Sequence, residues 1–252
     1  MSSYQKLCTE FYDTDKPEAP PEALAFYLPY VERVSGPVLE PMCGSGRFLL
    51  PLLERGFDVD GTDASPSMLR ACREKAARRG LAPPALYEQF LHELDVPRRY
   101  ALAFLPAGSF TLVTDPDQAR ESLRRLRDAL LPGGTLLLET GQHRPSESGS
   151  WPWGGRWVTC ADGSKLMISW VGHYDAATGI SHNIHRYEKF RDGKLLETEY
   201  EEFDLRQYDA AEVRGLLEGA GFGNIRPRKA YGPGAPDAAD EDVVWECVRA
   251  AD

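Results

Sequence analysis

The sequence predicts an α/β protein organised around a mostly parallel sheet flanked by helices, and three observations carry that expectation. First, an apolar run from Val38 ends in a turn holding Gly44 and Gly46, then passes into a helix-period segment through Phe48, Leu49, Leu52 and Leu53. Second, a further short run after Gly56 ends at Asp63, 17 residues beyond Gly46. Together these make a strand–turn–helix–strand unit, the building block of a parallel sheet. Third, more apolar runs follow at Tyr100–Leu105 and Thr135–Glu139, each separated from the last by helix-period sequence.

Taken in order, residues 1–35 read as a helical lead-in, with Phe11-Tyr12-Asp13, a proline-rich break at 17–21, and a helix through Leu24, Tyr27 and Val31. After Asp63, Ser65 is a natural N-cap with Pro66 at the first helical position. Met68, Leu69, Cys72 and Ala76 form the apolar stripe of that helix, and Gly80 stops it. Ala85–Gln89 reads as a third strand and Tyr100–Leu105 as a buried fourth. Asp115 to Gln118 opens the next helix in the manner of a capping box. Leu131-Pro132-Gly133-Gly134 ends that helix before the fifth strand. Residues 141–155 read as a loop rich in Gly, Ser, Pro and Trp. Period-two segments then follow at about 156–160, 165–174, 180–191 and 194–206, with hairpin signals at Asp162-Gly163, Thr178-Gly179 and Asp192-Gly193. They predict an antiparallel insert over 141–205. A capped helix from Asp209 and two last strands, 225–231 and 243–249, complete the chain, joined by a loop at 232–242 that reads as mobile. The whole chain is expected to be one domain.

The glycine turn narrows the ligand. Gly44 and Gly46 lack a Cβ, so a ligand can lie against the backbone at the strand's carboxyl end, and Asp63 can accept both hydroxyls of a ribose. A P-loop needs Gly-Lys-Ser/Thr, but the chain has Gly46-Arg47-Phe48. A dinucleotide fingerprint needs a third glycine where Leu49 stands. A ribose-bearing ligand without a pyrophosphate remains.

Glu40-Pro41-Met42-Cys43-Gly44-Ser45-Gly46 resembles motif I of the class I S-adenosylmethionine (SAM)-dependent methyltransferases, acid-x-Gly-x-Gly-x-Gly, with Met42 in place of the first glycine. Gly61-Thr62-Asp63-Ala64 to Met68-Leu69 resembles their acidic ribose loop and the helix after it, and the Leu-Pro-Gly-Gly before the fifth strand is a further likeness. The resemblance is strong over residues 36–140 and moderate over 205–250. It implies a Rossmann-like seven-stranded sheet of order 3-2-1-4-5-7-6, with the insert above its carboxyl edge. It also implies a SAM site made of Tyr12, Glu40, Met42, Cys43, Gly44, Gly46, Arg47, Asp63, Ala64 and Met68, completed by Gln89, Phe90, Leu91 and Leu105. Arg47, or a backbone N–H at the start of its helix, is expected to receive the cofactor's carboxylate. Gln89-Phe90-Leu91 is expected over the adenine, without the acid the family often carries there.

The same resemblance places Pro106, Ala107, Ser109 and Phe110 at the transferred methyl, with Tyr12 as a lid residue from the 1–35 segment. The chain lacks the Asn/Asp-Pro-Pro-Tyr/Phe of enzymes that methylate base amino groups, which points to a small organic acceptor methylated on N or O. His143, after the fifth strand, is the candidate general base, with a plain loop histidine as the alternative. Trp151, Trp153 and Trp157 line a substrate pocket or cover the sheet; the sequence favours neither. Rival readings are a protein or tRNA methyltransferase and a SAM-binding protein without turnover.

Composition bounds the partners. A net charge of −10 in 252 residues argues against nucleic acid, whose phosphates need a basic surface. No apolar stretch approaches the ~20 residues of a membrane span, and Met1 to Lys6 lack the apolar core of a signal peptide. Five scattered cysteines without a CxxC spacing read as reduced thiols in a cytoplasm, and no metal site is expected. His182 and His185, three apart on a strand, point to opposite faces. The insert also offers a face for a homodimer.

Overall fold

The computed structural model describes residues 4–142 and 145–250. Two helices lead in, α1 (Lys6–Asp15) and α2 (Pro21–Arg33). Strand β1 (Val38–Pro41) turns into the short α3 (Leu49–Glu54), then β2 (Val59–Asp63), α4 (Pro66–Arg78) and β3 (Leu86–Glu88) follow. After β4 (Tyr100–Leu105) come α5 (Pro116–Ala129) and β5 (Leu130–Gly141). The insert is made of β6 (Gly149–Thr159), β7 (Lys165–Asp175), β8 (Ile180–Arg191), β9 (Lys194–Glu202) and β10 (Leu205–Arg206). Helix α6 (Ala210–Gly219) then leads into β11 (Phe222–Lys229) and β12 (Asp242–Arg249).

The seven-stranded sheet has the order β11-β12-β5-β4-β1-β2-β3. That is the expected 3-2-1-4-5-7-6, because β11 and β12 are its sixth and seventh strands. Strands β1 to β5 pair in parallel, while β12 is antiparallel to both β5 and β11. Both faces are covered, so β4 and residues 136–138 of β5 are apolar on each side of the pleat. Leu123, Leu126, Val213 and Leu217 from α5 and α6 pack on one face with Leu105, Leu136 and Trp245. Tyr27, Val31, Leu52 and Leu69 from α2, α3 and α4 pack on the other with Phe104, Leu137 and Val244.

The helix starts follow their caps. Ser65 Oγ accepts from Met68 N at 3.1 Å, Asp115 accepts from Asp117 N and Gln118 N at 2.9 Å each, and Asp209 accepts from Glu212 N at 2.8 Å.

Three boundaries differ from the sequence reading, each for a physical reason. Residues 131–134 are not a loop before the strand but an irregularity within β5, where the partner of Tyr100 is Leu130 and that of Leu102 is Thr135. Gly133, at φ +77°, absorbs the extra residues. Strand β6 starts at Gly149, inside the expected loop, as an edge strand that tolerates Pro152. A Cβ on its Gly154 would lie 2.7 Å from the Trp170 ring, so glycine lets that ring lie flat on the strand. The last segment of the insert is interrupted at Phe203-Asp204, giving β9 and β10 along the same edge of β8 in one register, and there the Asn183 side-chain Nδ2 donates to the Phe203 carbonyl at 2.8 Å.

One face of the insert carries Leu166, Ile168 and Tyr187 and packs on Leu7, Cys8 and Phe11 of α1. Glu199 and the buried Glu201 of β9 are on this face. Glu199 accepts from Leu7 N and Cys8 N, both at 3.0 Å, and so satisfies the first turn of α1. On its other side α1 is tied to the parallel-sheet layer by Lys75, which donates to Asp13 at 2.9 Å and to Ser45 at 2.8 Å. That pair is 11% and 22% exposed, against 63% and 40% for Lys6–Glu197, so the shielded bridge contributes more to holding the helix. Helix α1 is thereby wedged between the insert and the strand ends. The 232–242 loop makes its own contacts: Lys229 pairs with Asp240 at 2.7 Å, and Gln142 Nε2 donates to the Asp237 and Asp240 carbonyls.

Candidate active site

A cavity of about 500 Å³ opens at the carboxyl ends of β1, β2 and β4, roofed by α1. Ligands of open α/β sheets bind at such strand ends. The turn after β1 forms its floor. Met42 has φ +54° and Gly44 φ +55°, both left-handed. The pattern's first glycine is therefore a conformational requirement that Met42 meets as an L-residue, at a cost of about 1–2 kcal/mol. A Cβ on Gly44 would meet nothing nearer than Met68 Sδ at 3.8 Å, so its missing side chain leaves open space on the pocket side.

Gly46 works differently. A Cβ there would lie 2.6 Å from Cys72 Sγ and 2.9 Å from Leu50, so this glycine lets α4 close on the turn and does not line the cavity.

Three acids govern the electrostatics. Asp63 ends β2; its Oδ2 accepts from Gly44 N and its Oδ1 from Ser65 N, both at 2.8 Å. Each oxygen keeps a second lone pair for a ligand hydroxyl. Burial pushes its pKa up to about 6 against the pull of those two N–H groups. Glu40, 2% exposed, has its pKa raised well above the usual carboxylate range, first by burial and then by Asp63. Its Oε2 has no partner among the described residues. An isolated buried carboxylate oxygen is costly unless something donates to it. Glu139, at the end of β5, is raised by burial while its donors oppose the shift.

Arg47 closes the floor toward α1. Its Nη1 donates to Tyr12 Oη at 2.7 Å, its Nε donates to the Glu18 carbonyl at 3.2 Å, and its guanidinium lies 5.3 Å from the Tyr12 ring centre. Among the described residues no hydrogen bond is made by Nη2. Tyr4 stands edge-on between Tyr12, at 5.7 Å, and Phe203 of the insert, at 5.5 Å. Beyond β3, Phe90 stacks on His92 at 5.5 Å. Gln89 Oε1 accepts from Asp95 N at 2.8 Å, while Gln89 Nε2 is buried without a partner among the described residues.

The cavity wall thus includes Tyr12, Glu40, Met42, Cys43, Gly44, Arg47, Asp63, Ala64, Met68, Gln89, Phe90, Leu91, Pro106, Ala107 and Ser109 from the sequence reading. Leu105 and Phe110 lie elsewhere, fully buried in the core under α5, where Phe110 packs 5.2 Å from Tyr208. Trp151 is outside the wall too, packed over Gly172 in the insert. His143 lies outside the described residues. The wall also takes in Tyr4, Phe48, Ser65, His92, Glu93 and the stretch Leu112 to Thr114 with Gln118. The aromatic Tyr4 and the cap Ser65 are adjacent to sequence signals; the α5 side is reached only by the fold. In the insert, His182 and His185 do face opposite ways. His182 sits 5.1 Å from His173 across the strands and 2.8 Å from Asp204, while His185 stacks on Phe203 at 4.8 Å. Among the described residues no group of three or more potential ligands is placed to hold a metal ion, and no helix is long and apolar enough to cross a membrane.

Comparison with known proteins agrees with this geometry. A family model described as a methyltransferase domain matches residues 38–134. A glycine/sarcosine N-methyltransferase of Halorhodospira halochloris is 32% identical over 104 residues, 40% of this chain and 38% of that protein. A 23S rRNA uracil methyltransferase of Klebsiella pneumoniae is 37% identical over 82 residues, 32% of this chain. The chain's match spans only 18% of that second relative. A solved sugar N-methyltransferase of Streptoalloteichus has the same fold, with a TM-score of 0.75 at 18% identity, over 99% of this chain and 97% of that one.

Proposed function

We propose that this chain, whose residues 38–134 are a methyltransferase domain set in the class I SAM-dependent fold, transfers a methyl group from SAM to the nitrogen of a small organic amine. The observation that carries the reading is the buried Oε2 of Glu40, without a partner among the described residues and on the wall of a cavity whose floor is opened by Gly44. A ligand ammonium satisfies that oxygen, and the amino group of SAM is one. Arg47 Nη2 would take its carboxylate, Asp63 its ribose hydroxyls, and Gln89 Nε2 a ring nitrogen of its adenine. The residues present therefore fit the group.

Bound there, SAM supplies a methyl on a sulfonium, a good leaving group that an amine lone pair displaces in line. The protein's own task is alignment and exclusion of water. Pro106, Ala107 and Ser109 form the wall at the end of β4, while α1 with Tyr12 and Tyr4 closes the cavity from above. None of Pro106, Ala107 and Ser109 titrates near neutral pH, which suits an amine that attacks as the free base better than a hydroxyl that must first be deprotonated. His143 is the residue we assign to proton removal if the acceptor is a hydroxyl.

The rRNA methyltransferase match supports a second reading, a macromolecular acceptor, which the net charge of −10 opposes. The buried, free state of all five cysteines supports a reducing cytoplasm. The outer face of the insert, with Trp153, Trp157 and Tyr200 exposed, is where a homodimer would pair, and light scattering in solution tests that. The function is tested by incubating the purified protein with SAM and a panel of small amines, hydroxy compounds and RNA. A product heavier by one methyl group in the amine arm is expected. Transfer confined to RNA or to hydroxyls overturns the acceptor class, and no transfer overturns the activity.

A further inference from the structure

Glu139 is 3% exposed and is not itself part of the cavity wall. One of its two carboxylate oxygens, Oε2, accepts three hydrogen bonds: from Tyr231 Oη at 2.6 Å, from Tyr27 Oη at 2.8 Å and from Ala107 N at 2.9 Å. The donors come from three separate parts of the chain, the segment after β11, helix α2 and the loop after β4. Two of them are backbone irregularities, since Ala107 and Tyr231 have φ of +59° and +58°. A left-handed conformation in residues with a Cβ persists only where the surroundings hold it, and at Ala107 the carboxylate supplies that hold through the N–H. The other edge of the same peptide is fixed as well, because the Pro106 carbonyl accepts from Ser109 Oγ at 2.9 Å. Pro106, Ala107 and Ser109 are the wall at the end of β4. The Tyr27 ring is itself packed in place, edge-on to Phe48 at 5.8 Å.

We propose that Glu139 is a positioning residue for methyl transfer, which from beneath the cavity locks the Pro106–Ala107 peptide in the orientation against which the acceptor is aligned. The proposal rests on the reading of the cavity as a methyl-transfer site. Charge-assisted bonds from three donors make the lock stiff, and small misplacements of an acceptor cost rate steeply. The cofactor end is built from Glu40, Asp63 and Arg47, none of which bonds to Glu139, so the lock acts on transfer and not on cofactor affinity.

The test compares Glu139→Ala, Glu139→Gln and Tyr231→Phe with the parent protein. Its readouts are hydrogen exchange over residues 104–110, SAM affinity by calorimetry, and kcat and KM for an amine acceptor. In Glu139→Ala the Ala107 amide is expected to exchange at least tenfold faster and kcat to fall tenfold or more, while SAM affinity stays within threefold. Glu139→Gln, whose amide oxygen still accepts, restores the exchange protection and most of kcat. Unchanged exchange in Glu139→Ala overturns the proposal, as does a loss of SAM affinity equal to the loss of kcat. Tyr231→Phe keeps the packing and carries the test if the alanine variant does not fold. It is expected to slow transfer at constant SAM affinity, and unaltered exchange together with unaltered kcat overturns the lock. The exchange readout needs no acceptor. A parent protein that binds SAM but methylates nothing therefore refutes the functional reading, while the lock at Glu139 stands or falls on the exchange.

Discussion

At the end of β1 and beyond β3, the cavity presents polar atoms with no partner among the described residues, Glu40 Oε2 and Gln89 Nε2. At the end of β4 the corresponding groups are already bonded, Ala107 N to Glu139 and Pro106 O to Ser109. Unsatisfied buried polar groups are costly, and they persist where a ligand completes them. On the function we propose, the first end recognises the cofactor by hydrogen bonds. The second, which we propose faces the acceptor, holds a shape, which suits a reaction whose chemistry lies in the sulfonium and whose acceleration lies in alignment. Recognition and alignment have been given to different stretches of backbone in one cavity.

The two motif glycines put that division to its strongest test. Gly46→Ala drives a Cβ to 2.6 Å from Cys72 Sγ at φ +84°, and should lose roughly 2–4 kcal/mol of stability in urea unfolding. Gly44→Ala has room on the protein side and should lose about 1–2 kcal/mol of stability, with its main effect on ligand affinity. Equal stability losses in the two variants would break the distinction between a packing glycine and a ligand glycine.

Asp63→Ala comes next, with an expected loss of ~1.5–3 kcal/mol of SAM affinity, the size of hydrogen bonds to a charged group. The acid also has a pH signature. Its pKa is raised from 3.8 to about 6 in the folded, ligand-free protein. Between those values the folded state holds more proton than the unfolded state, so on Asp63's account stability falls as pH rises from 3.8 to about 6. A ligand whose hydroxyls bond the carboxylate favours the ionised form, so on Asp63's account SAM affinity should fall as pH drops through about 6, while Glu40, also raised by burial, adds its own loss of affinity as it protonates. Calorimetry across pH 5–8 in the parent and in Asp63→Asn checks this; the amide variant should lose the step near pH 6 and keep the dependence that comes from Glu40. The smallest effect is expected from Tyr12→Phe, which removes the hydroxyl accepting from Arg47. A change of about 0.5–1.5 kcal/mol in SAM affinity is expected, and none at all would detach the α1 roof from the cofactor end.

The parallel sheet could be read from the sequence because its evidence is local. Caps at Ser65, Asp115 and Asp209 and the doubly buried runs of β4 and β5 announce themselves within a few residues. So do Glu40, Met42, Gly44, Arg47 and Asp63, which fall within one 24-residue unit. The insert was less legible, because its edge strand β6 carries Pro152 and three glycines and looks like a loop until Trp170 is placed against it. Glu139 was not legible as a centre at all. Its donors Tyr27 and Tyr231 stand 112 and 92 residues away in sequence, and nothing near Glu139 distinguishes it from any polar residue ending a strand. Leu105 and Phe110 were drawn toward the cavity by their neighbours, but the pleat of β4 and the turn after it send both into the core under α5.

The division of the cavity stands most directly on Glu40. Calorimetric titration of the parent protein and of Glu40→Gln with SAM and, separately, with NADH decides it. SAM should bind at micromolar concentration and NADH should not. Glu40→Gln, which keeps the shape but removes the charge facing the ammonium, should weaken SAM about tenfold to a hundredfold, the equivalent of ~1.5–3 kcal/mol. Equal SAM affinity in the two proteins, or heat from NADH with none from SAM, would contradict the account.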